Sequence, residues 1–186
     1  MEIVAREVAE VVAVAFWTML PAYLPNNAAV LVGGGPPIDG GRTWRGRRLL
    51  GDGKTWRGTG GGIVAGAAVA LIENALSGAA GDGFVAVLPH FPPVVVLSLP
   101  VGALAGDMTA SFVKRRLGRE RGAAVPGLDQ LDFVVGALVL TALAAPAWFG
   151  ATFSPEILVA VLVMTPVLHV VTNAAAYLLG LKQEPW

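Results

Sequence analysis

Four stretches of this chain, residues 11–38, 83–106, 133–155 and 157–181, contain no Asp, Glu, Lys or Arg, and a fifth, 58–81, is interrupted only by Glu73. A helix needs roughly 20 predominantly apolar residues to cross the hydrocarbon core of a bilayer. Runs of this length therefore predict five spans, approximately at 8–32, 59–80, 88–113, 132–152 and 156–180. The composition agrees, at 55% hydrophobic and 14% charged, against about 25% charged in soluble domains. The expected fold is an all-α integral membrane protein, a single transmembrane domain over 1–186 with long loops at 33–58 and 114–131. The first apolar run does not read as a cleaved leader: Glu2, Glu7 and Glu10 precede it with Arg6, and Met19-Leu20-Pro21 offers no small-residue cleavage site. With no cysteine, neither a disulfide framework nor a thiolate metal site is available.

Net charge is zero, yet the charges are sorted. Arg42, Arg45, Arg47, Arg48, Lys54 and Arg57 lie between spans 1 and 2, Lys114, Arg115, Arg116, Arg119 and Arg121 between spans 3 and 4, and Lys182 after span 5. Twelve of the thirteen basic residues thus fall on one side of a five-span chain. By the positive-inside rule that side is cytoplasmic, with the C-terminus inside and the N-terminus outside. Basic loops of this kind can serve topology and anionic headgroups alone. A topology signal, however, needs neither the glycines of GGGPPIDGGRTWRGRRLLGDGKTWRG nor acids at the membrane boundary, and so long a connection points to a functional loop.

Polar side chains inside spans are costly and face a protein interior or a watery cavity. Asn26 and Asn27 follow Pro21 and Pro25, two prolines expected to break the first helix. Asp107 lies about two turns before Lys114. Asp129 and Asp132, three apart, share a helical face, as do His169 and Asn173, four apart. Each has a structural reading: Asp129 as a helix-dipole acid, His169 as a packing residue, the asparagines as interhelical hydrogen-bonders. Glu73, nearer the outer face, reads as structural. Their common depth on the side of both basic loops favours a site. Carboxylates beside Lys and Arg suit Mg²⁺ and a polyphosphate, since Mg²⁺ takes one or two carboxylates, waters and phosphate oxygens.

LLGDGKTWRG, residues 49–58, invites a P-loop reading, but the first glycine of G-x-x-x-x-G-K-[ST] would fall on Arg48. No strand precedes it, so the P-loop fold is excluded. Its mechanism survives, because flexible glycines, Lys54, Arg57 and a following helix N-terminus all favour an anion. The CDP-alcohol phosphotransferase pattern is half met by Asp52-Gly53, Arg57 and Gly66. It then fails, because its two later metal ligands would be Ala70 and Asn74.

The segment GDMTASFVKRRLGRERGAAVPGLDQLD, 106–132, resembles the signature of membrane CTP:phosphatidate cytidylyltransferases at Gly106-Asp107, Ser111, Lys114-Arg115, Pro126-Gly127, Asp129 and Asp132. It lacks the His-Gly-Gly turn of that signature, reads Arg119-Glu120 for Lys-Asp, and has Gln130 for arginine. Those departures, LLGDGKTWRG, Leu168-His169-x-x-x-Asn173 and the ending Leu-Lys-x-x-Pro-Trp at 181–186 resemble the CDP-archaeol synthases, over nearly the whole chain. The resemblance implies a cytidylyltransferase that moves CMP from CTP to an isoprenoid glyceryl phosphate and releases pyrophosphate, with Mg²⁺ as cofactor. It implies Asp107, Asp129 and Asp132 as catalytic metal ligands, with Lys54 and Lys114 catalytic. CTP or lipid phosphate would be bound by Asn26, Asn27, Gly51, Asp52, Gly53, Lys54, Thr55, Arg57, Lys114, Arg115, His169 and Asn173. A multi-pass cell-membrane location is expected with the site at the cytoplasmic face, among membrane lipids and without a nucleic-acid partner; small residues along span 2 permit a homodimer. A different membrane cytidylyltransferase is the alternative within the class. A small transporter or lipid-binding protein is the alternative outside it, but that would spread polar residues through the membrane rather than gather them at one face.

Overall fold

The computed structural model describes residues 2–79, 88–119, 125 and 127–178, with the side chains of 2, 3, 128, 173, 175 and 176 left aside. Among the described residues six helices carry the fold: α1 (Glu2–Leu31), α2 (Trp56–Ala79), α3 (Pro93–Arg116), α4 (Leu128–Ala144), α5 (Pro146–Thr152) and α6 (Pro155–Leu178). Four of them, α1, α2, α3 and α6, are long and apolar enough to cross a membrane. The chain is an all-α integral membrane protein.

The segment expected as one span over 132–152 is instead two helices. Pro146 has no N–H to continue the ladder, and it forces Ala145 out of helical geometry, to φ −141° and ψ 60°. The helix starts earlier than expected, at Leu128, and is 17 residues long. The expected break in the first helix is also absent, because α1 runs through Pro21 and Pro25 without interruption. Both prolines are fully buried, and neighbouring helices stabilise a helix whose backbone bonds a proline has removed.

Small residues set how closely the helices approach. On α2, Gly58, Gly62 and Gly66 face the carbonyls of Ala29, Pro25 and Pro21; a Cβ there would lie 2.7, 2.6 and 2.5 Å from those oxygens. The glycines spaced by four therefore form the seam between α1 and α2. Between α3 and α4 the seam is Gly102, Gly106 and Gly136. A Cβ on Gly106 would come within 2.2 Å of the Asp132 carbonyl oxygen. Deeper in the same seam Ser98 and Thr141 hydrogen-bond across the helices at 2.9 Å. At the other end of α2, Asn74 pins the backbone of Phe91, accepting from its N–H and donating to its C=O, each at 2.8 Å. The position that fails as a phosphotransferase ligand is thus a structural amide.

The 33–58 connection holds a small hairpin, β1 (Thr43–Trp44) antiparallel to β2 (Arg47–Arg48). Arg45 and Gly46 form its two-residue turn with φ of 53° and 75°, the left-handed pair that a tight hairpin requires. The repeated words RTWRG and KTWRG therefore take different structures, a hairpin in one case and the start of α2 in the other.

Candidate active site

Between α1, α2, α3, α4 and α6 lies a cavity of about 580 Å³. Asn26, Asn27, Gly53, Lys54, Thr55, Asp107, Asp129, Asp132 and His169, nine of the expected residues, line it. Phe16, Leu20, Tyr23 and Leu24 of α1 continue its wall as an apolar face. The cavity is therefore two-sided, ionic at the loops and apolar along the helices.

The ionic end is assembled by both seams. Close approach of Gly106 to the Asp132 backbone sets Asp107 of α3 beside Asp132 of α4. Asp129, in the first turn of α4, accepts from the Val125 N–H at 2.9 Å and from Lys114 Nζ at 2.7 Å. It thus serves the helix start, as its structural reading held, while also lining the cavity. Lys54 Nζ donates to Asp107 Oδ2 across the gap between the first loop and α3. Asp132 Oδ1 accepts from the Phe133 N–H at 2.6 Å. Two lysine–aspartate pairs and a third aspartate thus gather at one rim. Among the described residues no three His, Asp or Glu side chains converge as a ready-made metal cluster, because Asp107 and Asp129 are each turned to a lysine. Two carboxylates on one wall with open space before them still suit Mg²⁺, which completes its shell with water and phosphate oxygens.

The loop of LLGDGKTWRG takes its shape from hydrogen bonding. The Lys54 N–H donates to the Gly51 C=O at 3.2 Å, closing a turn in which Gly51 has φ 109°. Thr55 is the N-cap of α2: its Oγ1 accepts from the Gly58 N–H at 3.1 Å. The threonine of the Gly-Lys-Thr word therefore caps a helix at the cavity lining, while the lysine pairs with Asp107. Asp52 is exposed and accepts from Arg48 at 2.6 Å. Arg57 is exposed and stands outside the cavity lining. Arg115 and Gly51 lie outside that lining as well, with the Arg115 Nε near Gly51. Lys114 reaches the rim through Asp129. The Asn173 side chain, Arg121 and the 181–186 ending lie outside the described residues.

Residues 8–186 match the family described as CarS-like, CDP-archaeol synthase. A CDP-archaeol synthase of Halobacterium salinarum strain R1 is 64% identical over 94% of this chain and 97% of that protein. One from Halorubrum lacusprofundi is 60% identical over 96% and 99%, and one from Methanosarcina acetivorans 53% over 90% and 100%. The chain belongs to the CDP-archaeol synthase family. A solved structure of an intramembrane enzyme for archaeal membrane lipids biosynthesis superposes with a TM-score of 0.68 at 42% identity, covering 86% of this chain and 92% of that one. As a member of this family the chain is a multi-pass membrane enzyme of the CTP-dependent cytidylyltransferase class.

Tyr23, Thr165 and Arg116 of this family member escaped the sequence reading. Tyr23 and Thr165 join their hydroxyls at 2.9 Å between α1 and α6, both on the cavity wall. A tyrosine and a threonine inside apolar runs give no sequence signal until the two helices are seen to be neighbours. Arg116 was counted only as a loop charge. It donates to the carbonyls of Trp44, Arg47 and Arg48 at 2.6, 3.1 and 2.6 Å, and sits over the Trp44 ring, itself stacked on Phe112. This arginine fastens the hairpin of the first loop to the end of α3.

Proposed function

We propose that this enzyme transfers CMP from CTP to an isoprenoid ether lipid phosphate, 2,3-bis-geranylgeranyl glyceryl phosphate or a close relative, releasing pyrophosphate. The observation that carries the reading is the two-sided cavity: an ionic rim of Lys54, Lys114, Asp107, Asp129 and Asp132 opening onto an apolar wall of Phe16, Leu20 and Leu24. A nucleoside triphosphate needs the first, a lipid chain the second, and their phosphates meet where the two join. The rim faces the cytoplasm by the distribution of Lys and Arg, and with α4 as a fifth crossing the N-terminus is outside and the C-terminus inside.

In this account Lys54 and Lys114 leave their aspartates for the triphosphate. Asp107, Asp129 and Asp132 would hold Mg²⁺ directly or through water, and the ion would supply charge neutralisation to the phosphates. Asn26, Asn27 and the Gly51–Gly53 turn orient the nucleotide, while Arg57 and Arg115 strengthen the field at the mouth. The lipid phosphate oxygen attacks the α-phosphorus, and the bond from that phosphorus to the bridging oxygen of pyrophosphate breaks. A phosphate monoester is already anionic, so no strong base is needed, and rate comes from positioning and charge stabilisation. His169, beside this region on α6, contacts the substrate or shapes the cavity.

The test uses the purified protein in detergent with CTP labelled at the α- or the γ-phosphate, the isoprenoid lipid phosphate and graded Mg²⁺. The expected result is α-label in the lipid, γ-label in pyrophosphate, and no turnover once chelator removes the divalent ion. Label from the γ-phosphate in lipid would make the enzyme a kinase, and Mg²⁺-independent turnover would remove the aspartates from metal binding.

A further inference from the structure

The side chain of Asp39 is 1% exposed, yet it stands outside both the catalytic cavity and any membrane helix. Its carboxylate accepts five hydrogen bonds. Arg48 Nη2 and Nε donate at 2.7 and 3.3 Å, and the backbone N–H groups of Gly41, Leu50 and Gly51 at 3.1, 3.0 and 3.1 Å. A carboxylate with this many donors is doing more than closing its own turn, because four of the five hydrogen bonds come from residues 48–51, directly before Lys54.

The connection to Lys54 is short and runs on both sides of its backbone. On one side, Gly51, held on Asp39, accepts from the Lys54 N–H. On the other, Ile38, the neighbour of Asp39, donates its N–H to the Lys54 C=O at 2.8 Å. Pro37 and Thr55 form a bridge beside them. The backbone of Lys54 is thus gripped from both directions by a segment whose fixed point is Asp39, and its side chain is delivered to Asp107.

We infer that Asp39 is a positioning residue for the nucleotide, holding the Gly51–Lys54 turn so that Lys54 meets the triphosphate. This rests on the CTP reading above. It assigns Asp39 no contact with substrate. Arg48 completes the device, for it bridges Asp39 and Asp52 and so fixes the far side of the same turn.

Asp39→Asn is the discriminating variant. Its amide nitrogen must point either at the donors Leu50 N, Gly51 N and Arg48 Nε or at Gly41 N and Arg48 Nη2, so a donor faces donors in both orientations. Steady-state kinetics with CTP and the isoprenoid lipid phosphate should show KM for CTP raised by about tenfold, the scale of one hydrogen-bonded charge removed. KM for the lipid phosphate should stay within about twofold, and Asp39→Glu should fall nearer wild type than Asp39→Asn does. In the double variant Asp39→Asn/Lys54→Met, the loss should match Lys54→Met alone, since the one residue acts through the other. A wild-type KM for CTP in Asp39→Asn overturns the inference, as does a double variant whose losses multiply. Wild-type protein that consumes no CTP would overturn the nucleotide reading itself, and is told apart because the unsubstituted enzyme then already fails.

Discussion

Asp39 shows at the residue scale how a single carboxylate can organise a loop that composition marks only as basic. The guanidinium of Arg48, then the three backbone N–H groups, hold its carboxyl far below the usual carboxylate range, and the same pairing raises the Arg48 guanidinium. A depressed carboxylate stabilises the fold above its unfolded value of about 4, and that contribution is lost as pH falls toward the folded value. Protection of the Leu50 and Gly51 amides against hydrogen exchange should therefore hold from about pH 8 to about pH 5 and decay only in stronger acid. Loss of protection centred near neutrality would contradict the ion pair. Sequence reasoning passed over Asp39 because it closes a charge-free run, and nothing in IDGGR announces which amides will turn back to it. Asp107, Asp129 and Asp132 were legible because acids beside long apolar runs are rare and costly. The lysine partners of Asp107 and Asp129 were legible only as charges, since which aspartate each meets is fixed by tertiary packing.

Helix existence was the most legible property at the element scale, and helix continuity the least. Apolar runs locate α2 and α6 closely, while α1 starts at Glu2 rather than 8 and α3 at Pro93 rather than 88. Proline was misleading in both directions: Pro21 and Pro25 stay inside α1, while Pro146 divides the fourth segment. The difference lies in the neighbours. Pro21 and Pro25 are buried against the α2 glycines, whose missing side chains let the helices approach, whereas Pro146 lies at the end of α4, where a chain reversal into α5 and α6 has to begin. The seam predicts a sharp size limit at Gly66, where a Cβ would lie 2.5 Å from the Pro21 carbonyl oxygen and 2.6 Å from the Pro100 Cβ. Gly66→Val should lower the thermal midpoint by the equivalent of about 1–3 kcal/mol or more, the cost of overpacking a close contact. Gly60→Val, on a position with nothing within 4 Å, should leave the midpoint nearly unchanged. Equal midpoints in the two variants would show that the α1–α2 seam is not the tight contact described. These glycines also show where the stripe of small residues along span 2 is used: Gly58, Gly62 and Gly66 pack within the bundle.

At the scale of the whole molecule, Lys54 of the first loop and three membrane-boundary aspartates, far apart in sequence, converge on one cavity, with Lys114 joined to it through Asp129. That convergence could be anticipated from topology, because a charge sorted to one side by the bilayer has little room to be elsewhere. The apolar half of the cavity could not, since Phe16, Leu20 and Leu24 look like any lipid-facing residues until α6 is placed against α1. Cytidylyl transfer at the ionic rim, to a lipid phosphate lying along that apolar wall, makes the rate depend on the rim carboxylates. The deciding measurement is the rate of CDP-lipid formation, compared between the wild type and Asp107→Asn in the same lipid vesicles with saturating CTP, Mg²⁺ and isoprenoid lipid phosphate. Steady CDP-lipid formation is expected of the wild type, and a folded Asp107→Asn should be slower by about 10²–10³-fold, the scale of one preorganised charge-stabilising group. Asp107→Asn turning over at the wild-type rate would contradict that dependence.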